Sequence, residues 1–469
     1  MGEKNRKYVI NKYNSHRIEK DKWLVTTEQG SWSLLSKEEY KNLRLGGIEE
    51  GGELYRHLED RGVILTKDNI KEAVKKHAVK NHFLFSGTSL HIITPTLRCN
   101  QRCTYCHSNV EGKNKEGFDL DRETAENIVE FAFESPAKTL RFEFQGGEPL
   151  LRLDMVEMVV EHARKLSEEK EKEVSFSLVS NLTRLDGEKI HRLKELGIKV
   201  STSLDGPEEV HNHNRKYLDG GGTYKDVVEK LNALKEAGIE VNALATVTQK
   251  SLDFPREIVD EYIGNGFDKI WLRPLNKIGF ARENWNEVGY SAEDFMDFYK
   301  EALDYILMEK NKEIVELNAL LYVKKILRTS DPNMTEMTSP CGAGISQLLY
   351  DFDGDIYTCD EAKIFEEFRL GNVKQSEWSD IFTNDTLLSM IDISSMKGLN
   401  CNSCVWEPFC SVCPVNMYSE QGTVVPKLSE TFQCRLNKKM VDDMFQRLIF
   451  SKDQRQTLEK WAKEEVASK

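Results

Sequence analysis

The sequence predicts an α/β protein whose central domain is an incomplete TIM-like barrel of six strand–helix units. Between residues 90 and 273, short strand-like runs alternate with amphipathic stretches of helical period. This alternation makes the strands parallel, because each connection crosses the sheet by way of a helix. A closed eight-fold barrel typically takes about 250 residues, and this segment is shorter. We therefore expect a partial (β/α)6 barrel.

The predicted barrel elements follow one another in a regular order. We expect strands at residues 91–94, 140–144, 174–179, 199–204, 241–247 and 269–273. Amphipathic helices are expected at residues 122–134, 154–166, 224–237 and 255–265.

Further regions flank the barrel. Residues 7 to about 66 alternate short apolar runs with turns and then show helical periodicity, which predicts a small α+β module. Residues 67–81 read as a charged helical connector. Residues 441–469 have helical periodicity, and we assign them no function. The predicted domains are residues 1–82, 83–310, 311–440 and 441–469.

Length and composition limit the class of protein. With 469 residues the chain exceeds what one hydrophobic core usually serves, so we expect two or three domains. The net charge of −13 gives no general attraction to nucleic acid. No stretch approaches the roughly 20 apolar residues of a membrane span, and the polar N-terminus lacks the apolar core of a signal peptide. We expect a cytoplasmic protein that contacts neither nucleic acid nor membrane.

Three cysteines within eight residues form the most informative motif. Cys99, Cys103 and Cys106 have the spacing CxxxCxxC and follow the first predicted strand. Barrel enzymes keep their active sites in loops at this end of the strands. Thiolates ligate iron–sulfur clusters, and three ligands leave one iron of a cubane open for chemistry. A structural zinc site is the alternative, but His107 adjoins Cys106 and is poorly placed to complete a tetrahedron.

The other seven of the ten cysteines form a second group toward the C-terminus. A ribbon-like zinc module is again the alternative to clusters. The group consists of Cys341, Cys359, Cys401, Cys404, Cys410, Cys413 and Cys434.

The first motif, with Tyr105 before its last cysteine, resembles the signature of radical S-adenosylmethionine (SAM) enzymes. The resemblance implies that SAM binds the open iron and is cleaved to a 5′-deoxyadenosyl radical, which removes hydrogen from a substrate. After the second strand, Gly146, Gly147 and Glu148 resemble the family motif that holds the SAM amino group. Alone, these residues would be an ordinary strand-to-helix turn.

Three more residues resemble SAM contacts of this family. Asn181 and Ser203 follow the third and fourth strands, and Arg215 could pair with the SAM carboxylate through a bidentate fork. The alternatives are that Asn181, Ser203 and Asp205 cap helices and that Arg215 lies in a surface loop. His211 and His213 are expected to be solvated.

The second cysteine group resembles the SPASM extension of radical SAM enzymes, which holds two auxiliary [4Fe–4S] clusters. One departure is the final CxxC, where the family commonly has CxxxC. Three ligands at the first auxiliary cluster would leave an iron open to a substrate thiolate, a fourth protein ligand or water. Asp360, next to Cys359, resembles a family position that acts as general base. The resemblance assigns Cys341, Cys359 and Cys413 to the first cluster and Cys401, Cys404, Cys410 and Cys434 to the second.

Within this family, residues 85 to 440 resemble peptide-modifying maturases, particularly the His-Xaa-Ser-system type and thioether-forming relatives of the ranthipeptide and sactipeptide classes. The N-terminal module then resembles a winged-helix leader-peptide recognition domain, which binds by adding a strand to a sheet edge. The implied partners are a ribosomally made precursor peptide and a flavodoxin- or ferredoxin-type reductant.

The expected product is a thioether between a cysteine and a neighbouring residue's carbon. Carbon–carbon crosslinking, epimerisation and dehydrogenation of the kind catalysed by sulfatase-maturing relatives use the same parts of the protein. Two non-enzymatic alternatives are an iron–sulfur electron carrier and a zinc-stabilised peptide-binding protein. The six strand–helix units argue against a carrier, which needs no large pocket.

Overall fold

The central sheet of the computed structural model, which describes residues 7–327, 334–396 and 400–467, contains the six predicted barrel strands side by side. All five pairings between these strands are parallel and follow chain order. The arrangement is consistent with the predicted partial TIM-like barrel. The strands are Leu90–Thr96, Thr139–Gly146, Glu173–Val179, Lys199–Ser203, Val241–Thr246 and Leu272–Arg273.

The barrel helices alternate with these strands as predicted. Apolar residues line one side of each, so that Val156, Val159 and Val160 of the second helix are completely buried. The first helix begins after Asp121, whose carboxylate accepts a hydrogen bond from the Thr124 N–H at 2.8 Å. The main barrel helices are Arg122–Phe133, Leu153–Lys170, Gly187–Glu195, Glu208–Asn214, Tyr224–Glu236, Pro255–Gly264 and Ala292–Glu309.

The sixth predicted strand is divided in two. Lys269–Ile270 leaves the main sheet and pairs in parallel with Val315–Glu316. Only Leu272–Arg273 pairs with the fifth strand. The short helices Phe280–Glu283 and Trp285–Val288 follow before the last barrel helix.

The cysteine-rich domain continues the same sheet. Its strand Gln347–Tyr350 pairs in parallel with the first barrel strand, so that Gln347 lies opposite Leu90 and Tyr350 opposite Ile93. Two antiparallel strands, Asp355–Tyr357 and Arg369–Asn372, complete a nine-stranded sheet. The two domains therefore share backbone hydrogen bonds as well as side-chain contacts. The remaining helices are Leu317–Leu327, Trp378–Thr383, Asp385–Ser394 and Pro414–Gln421.

The N-terminal module has its own sheet and core. Three antiparallel strands, Tyr13–Glu19, Lys22–Thr27 and Trp32–Ser36, form a meander. Val9–Ile10 pairs with Ile64–Leu65 in a separate two-stranded sheet. Helix Lys37–Leu45 packs against the meander, and helix Glu53–Asp60 packs against the two-stranded sheet. The predicted connector is the helix Ile70–Asn81, which buries no side chain. These elements agree with an α+β module, whereas the winged-helix assignment remains a prediction.

The N-terminal module contacts the cysteine-rich domain through side-chain hydrogen bonds. The Thr26 hydroxyl donates to the Val405 carbonyl at 2.7 Å, and the Asn14 side-chain amide donates to the Cys404 carbonyl at 3.0 Å. The Trp32 indole N–H donates to the Ile326 carbonyl at 2.9 Å. The module therefore touches the loop that carries Cys404.

Two long helices end the described chain. Phe432–Phe450 and Lys452–Ala467 pack on each other and on the last barrel helix. Phe445 and Leu458 are fully buried, which makes these helices part of the packed structure. The first of them runs across the predicted boundary at residue 440. Within the described residues, no helix is long and apolar enough to cross a membrane.

Candidate active site

The three-cysteine loop follows the first barrel strand, as predicted. Cys99 ends the short strand Arg98–Cys99, which pairs with Glu111–Gly112 further along the loop. The Arg98 guanidinium donates hydrogen bonds to both carboxylate oxygens of Asp119, each at 2.7 Å. This fork joins the start of the loop to its end and holds the cysteines in place.

The thiols of this loop are enclosed and partly hydrogen-bonded. Burial, and then the charge of Glu148, raises the pKa of Cys99 well above its ordinary value. Burial also raises the pKa of Cys103 to about 12, although Arg215 opposes it. The Gln101 N–H and the Asn181 amide point at Cys99 Sγ, at 3.4 and 3.7 Å. Three thiols in one loop with N–H donors to sulfur fit a cluster site.

Gly146 and Gly147 allow the second strand to lie against this loop. A Cβ on Gly147 would sit 2.2 Å from the Arg98 carbonyl oxygen, and a Cβ on Gly146 would sit 2.7 Å from the Thr96 oxygen. Gly146 also has a φ of +120°, which favours glycine. The space that these glycines leave is occupied by the chain's own backbone. Their expected role in approaching a ligand is thus accompanied by a structural one.

Glu148 is completely buried beside the triad. Its carboxylate accepts hydrogen bonds from the Leu150 N–H, the Ser180 hydroxyl and the Asn181 N–H, at 2.8 to 3.0 Å. Burial raises the pKa of Glu148 to about 7 because charge is disfavoured away from water. A cationic ammonium group would be a suitable partner for this carboxylate.

Asn181 and Ser203 lie at the ends of the third and fourth strands. The Asn181 side-chain amide bridges Cys99 Sγ and Asn100 Oδ1, so it belongs to the triad's surroundings. Ser203 is the last residue of its strand and is half-buried. The helix at residues 187–195 is capped by Asp186, and the one at 208–214 begins after Pro207. The capping alternative for Asn181, Ser203 and Asp205 is therefore wrong.

Arg215 is enclosed instead of lying in a surface loop. Its Nε donates to Asp205 Oδ2 at 3.2 Å, and its Nη2 donates to the Tyr105 hydroxyl. The Tyr105 hydroxyl in turn donates to Asp205 at 2.7 Å, and the Asn214 amide does so at 3.2 Å. A single guanidinium nitrogen therefore contacts the internal carboxylate, and Nη1 lies 3.9 Å from Cys103 Sγ. Arg215 therefore contacts the cysteine loop through the Tyr105 hydroxyl and Cys103 Sγ.

The expectation for His211 is also wrong. This side chain is fully buried and contacts the Thr223 hydroxyl at 3.1 Å through Nε2. Burial lowers its pKa to about 4, so the imidazole is neutral at neutral pH. His213 is exposed, as predicted. The helix Glu208–Asn214 turns the two histidines in different directions.

The second cysteine group divides in space into the two sets that the resemblance implies. Cys341 and Cys413 pack against the same buried side-chain cluster as Cys359, and burial, then Glu361, Cys341 and Cys359, raise the pKa of Cys413. Burial, then Cys404, Cys401 and Cys434, raise the pKa of Cys410 to about 12. Asn437 and Asn416 supply N–H groups to Cys410 and Cys413 at 3.7 and 3.5 Å.

A contact between two loops connects the triad with the first of these sets. His107, which follows Cys106, lies with Nε2 3.5 Å from Asp360 Oδ2, and Asp360 follows Cys359. Both side chains are partly exposed. The predicted base therefore lies on the Cys359 loop, at the point where this loop contacts the three-cysteine loop.

Sequence reasoning did not assign several polar residues around these loops. Asp205 was left without a role, although its full burial makes it the centre of the Arg215 network. Arg273 binds both oxygens of Glu336 at 2.7 and 2.8 Å near the Asp360 loop. Burial, then the charge of Glu336, raises the pKa of Glu361. The only sequence signal for these residues was their nearness to the motifs.

A partial barrel with a three-thiol loop, joined through one sheet to seven further cysteines, defines the radical SAM class with auxiliary clusters. Residues 93–260 match the family model of the radical SAM superfamily, and residues 341–414 match the SPASM iron–sulfur cluster-binding domain. The chain is a radical SAM enzyme with a SPASM domain, and its cofactors are [4Fe–4S] clusters and SAM. This overturns the electron-carrier and zinc-stabilised alternatives.

Curated relatives cover most of the chain. It is 27% identical over 362 residues to a cysteine-type anaerobic sulfatase-maturating enzyme of Clostridium perfringens, covering 75% of this chain and 94% of the relative. It is 24% identical over 355 residues to a serine-type anaerobic sulfatase-maturating enzyme of Bacteroides thetaiotaomicron, covering 71% and 83%.

Solved structures share the fold. Native anSMEcpe with bound AdoMet superposes with a TM-score of 0.66 at 23% identity, covering 77% of this chain and 98% of that one. Streptococcus suis SuiB bound to precursor peptide SuiA superposes with a TM-score of 0.54 at 16% identity, covering 89% and 98%. At these identities the likeness establishes the fold alone.

Proposed function

We propose that the enzyme modifies one residue of a ribosomally made peptide or protein, starting with removal of a hydrogen atom from that residue. The single observation that carries this proposal is the position of Asp360. Its carboxylate lies 3.5 Å from His107, at the point where the loop of Cys359 contacts the loop of the SAM cluster. A proton acceptor placed where the loops of two redox sites meet suits a substrate that loses a hydrogen atom, a proton and an electron in one turnover.

The proposed roles of the site residues follow from their positions. Cys99, Cys103 and Cys106 hold the SAM cluster, and Glu148 receives the SAM ammonium group with Gly146, Gly147, Asn181 and Ser203 nearby. Arg215 orients the cysteine loop through Asp205 and Tyr105. When bound, SAM and its cluster supply the carbon radical that removes hydrogen from the substrate. The other seven cysteines hold two auxiliary clusters in the sets described above.

Over the thioether that the sequence suggested, we favour oxidation of a cysteine or serine residue, which is the dehydrogenation that the sequence left as an alternative. Relatives are named cysteine-type and serine-type anaerobic sulfatase-maturating enzymes. In this reaction the substrate carbon loses a hydrogen atom to the SAM-derived radical, and its thiol or hydroxyl loses a proton to Asp360. An auxiliary cluster held by the C-terminal cysteines would supply the acceptor for the remaining electron, so the residue would lose two hydrogen atoms in all. The matches to both cysteine-type and serine-type enzymes support this choice.

Thioether formation is the second candidate. The observation in its favour is that only three thiols gather around Cys359, which leaves a coordination position for a substrate thiolate. Both reactions remove two hydrogen atoms, so they differ in whether a new bond joins two residues.

The N-terminal module is the proposed site for a leader peptide. Tyr13–Glu19 lies at the edge of its three-stranded sheet and could accept an added strand. Because this module touches the Cys404 loop, a bound leader would be held close to the cysteine-rich domain. A flavodoxin- or ferredoxin-type protein is the proposed reductant, and the cytoplasm is the proposed location.

The Cp18Cys peptide, bound in a solved anSMEcpe structure, is a suitable probe. Reconstituted enzyme, SAM and dithionite would be incubated with this peptide and with its Cys-to-Ser counterpart, and the products sequenced by mass spectrometry. We expect an aldehyde or thioaldehyde at the target residue. The Asp360→Asn variant should still form 5′-deoxyadenosine but should lose the oxidised product, whereas Asp353→Asn should behave as wild type. A crosslinked product would favour the thioether, and an unchanged peptide would refute sulfatase-type oxidation.

A further inference from the structure

The first auxiliary site has fewer thiols than a cubane has irons. A [4Fe–4S] cluster has four irons and is usually held by four thiolates, but of the ten cysteines only Cys341, Cys359 and Cys413 belong to this side-chain cluster. The other four cysteines of the domain form the second set. One coordination position is therefore left for a group other than cysteine.

A carboxylate reaches into this set of thiols. Glu361 Oε2 lies 3.9 Å from Cys413 Sγ. Cys413 and Cys341 pack against the same buried side-chain cluster as Cys359. The Glu361 carboxylate therefore lies beside this set of thiols. Carboxylates are established metal ligands, and this one faces the thiols.

The other carboxylate oxygen of Glu361, Oε1, accepts a hydrogen bond from outside the thiol set. The Asn276 side-chain amide donates to Glu361 Oε1. Ligating carboxylates are commonly hydrogen-bonded in this way, because the outer contact fixes their orientation. Asn276 comes from the loop after the sixth barrel strand, so the barrel itself aims Glu361 at the cysteines.

The two neighbouring carboxylates have other partners. Glu336 is bound through both oxygens to Arg273, at 2.7 and 2.8 Å. Asp360 faces His107. Among the described residues, Glu361 is the acid of these three that contacts a thiol of the set, with Oε2 3.9 Å from Cys413 Sγ.

We propose that Glu361 is the fourth protein ligand of the auxiliary cluster held by Cys341, Cys359 and Cys413. This inference rests on the ligand sets given under the proposed function. A complete set of protein ligands would close the cluster to a substrate thiolate. The cluster would then accept an electron without binding substrate, which agrees with oxidation of a residue and opposes thioether formation on the cluster.

The test uses full-length protein with the three triad cysteines replaced by alanine, so that spectra come from the auxiliary clusters only. Iron content and the electron paramagnetic resonance (EPR) spectrum of the reduced protein would be recorded with Glu361 intact, and for Glu361→Cys and Glu361→Ala. Glu366→Ala, a change at an exposed acid five positions later, is the matched control. Each sample would also be treated with ¹³C-labelled cyanide, a probe for an open iron.

We expect the protein with Glu361 intact to show no ¹³C coupling from cyanide. Glu361→Cys should keep its iron with a changed EPR spectrum, because a thiolate replaces a carboxylate. Glu361→Ala should either bind cyanide or lose the iron of one cluster, and Glu366→Ala should match the parent. Cyanide binding with Glu361 intact would overturn the proposal. So would a Glu361→Cys protein with an unchanged spectrum or without the cluster.

Failure of this inference can be told apart from failure of the proposed function. Formation of 5′-deoxyadenosine and oxidation of the Cp18Cys peptide are measured with the triad intact and Glu361 in place. These activities can be present even if Glu361 proves not to be a ligand.

Discussion

Replacing Gly147 by alanine tests how the barrel holds its cysteine loop. The added Cβ would lie 2.2 Å from the Arg98 carbonyl oxygen, 2.6 Å from the Arg98 carbonyl carbon and 2.7 Å from that of Leu97. These are backbone atoms, so no side-chain rotation can relieve the clash. The backbone at Gly147 must therefore move away from the backbone of Leu97 and Arg98, just before Cys99.

The expected loss in the free energy of unfolding has two parts. Overpacking of a tight site costs about 1–3 kcal/mol. Separation also weakens the hydrogen bonds from the Gly147 N–H to Thr96 and from the Glu148 N–H to Arg98, both 2.8 Å, at about 0.5–1.5 kcal/mol each. The sum of about 2–6 kcal/mol corresponds to a fall in Tm of about 4–24 °C, at about 2–4 °C per kcal/mol for a domain of this size.

The assay is anaerobic thermal unfolding together with iron counting after reconstitution. Gly147→Ala should unfold at lower temperature and should retain less iron at the triad, while the auxiliary clusters remain. Gly187→Ala is the matched control, because a Cβ there meets nothing within 4 Å. If both variants had the same Tm and the same iron content, the close approach of Gly147 to Arg98 would be wrong.

Three further predictions concern the same framework. Asp205→Asn removes the buried counter-charge of Arg215 and should destabilise the protein by about 3–5 kcal/mol, whereas Glu208→Gln, at the exposed contact with Lys225, should cost less than about 1 kcal/mol in the same denaturant titration. Burial raises the pKa of Glu148 from 4.5 to about 7, so the folded protein binds the extra proton in that window, and the Tm of wild type minus that of Glu148→Gln should fall as pH rises through it; a difference that rises with pH would contradict this sign. Thr26→Val leaves the buried Val405 carbonyl without its donor and should cost about 1–3 kcal/mol, with faster loss of iron from the Cys404 cluster, as measured by chelator challenge.

The barrel could be predicted from sequence because its signals are local. Each strand is a short apolar run and each helix has a single buried face, so periodicity alone locates Leu140, Phe142 and Phe144 in a strand and Val156 and Val159 in a helix. The triad was placed correctly because a loop after a parallel strand must emerge at the carboxyl end of the sheet.

The contacts between distant parts of the chain could not be predicted in this way. The pairing of Gln347–Tyr350 with the first barrel strand depends on two segments about 250 residues apart. The contact of Arg215 Nε with Asp205 Oδ2 at 3.2 Å also depends on the three-dimensional fold. The burial of His211 likewise follows from packing in three dimensions and leaves no mark in a polar local sequence.

The most direct test of the central claim is SAM cleavage by anaerobically reconstituted protein, with iron counted in the same samples. Wild type would be compared with the variant carrying Cys99→Ala, Cys103→Ala and Cys106→Ala. We expect about twelve irons per wild-type chain, the sum of three four-iron clusters, and dithionite-driven formation of 5′-deoxyadenosine that is lost in the variant. Bound zinc without 5′-deoxyadenosine, or equal cleavage by both proteins, would contradict the account.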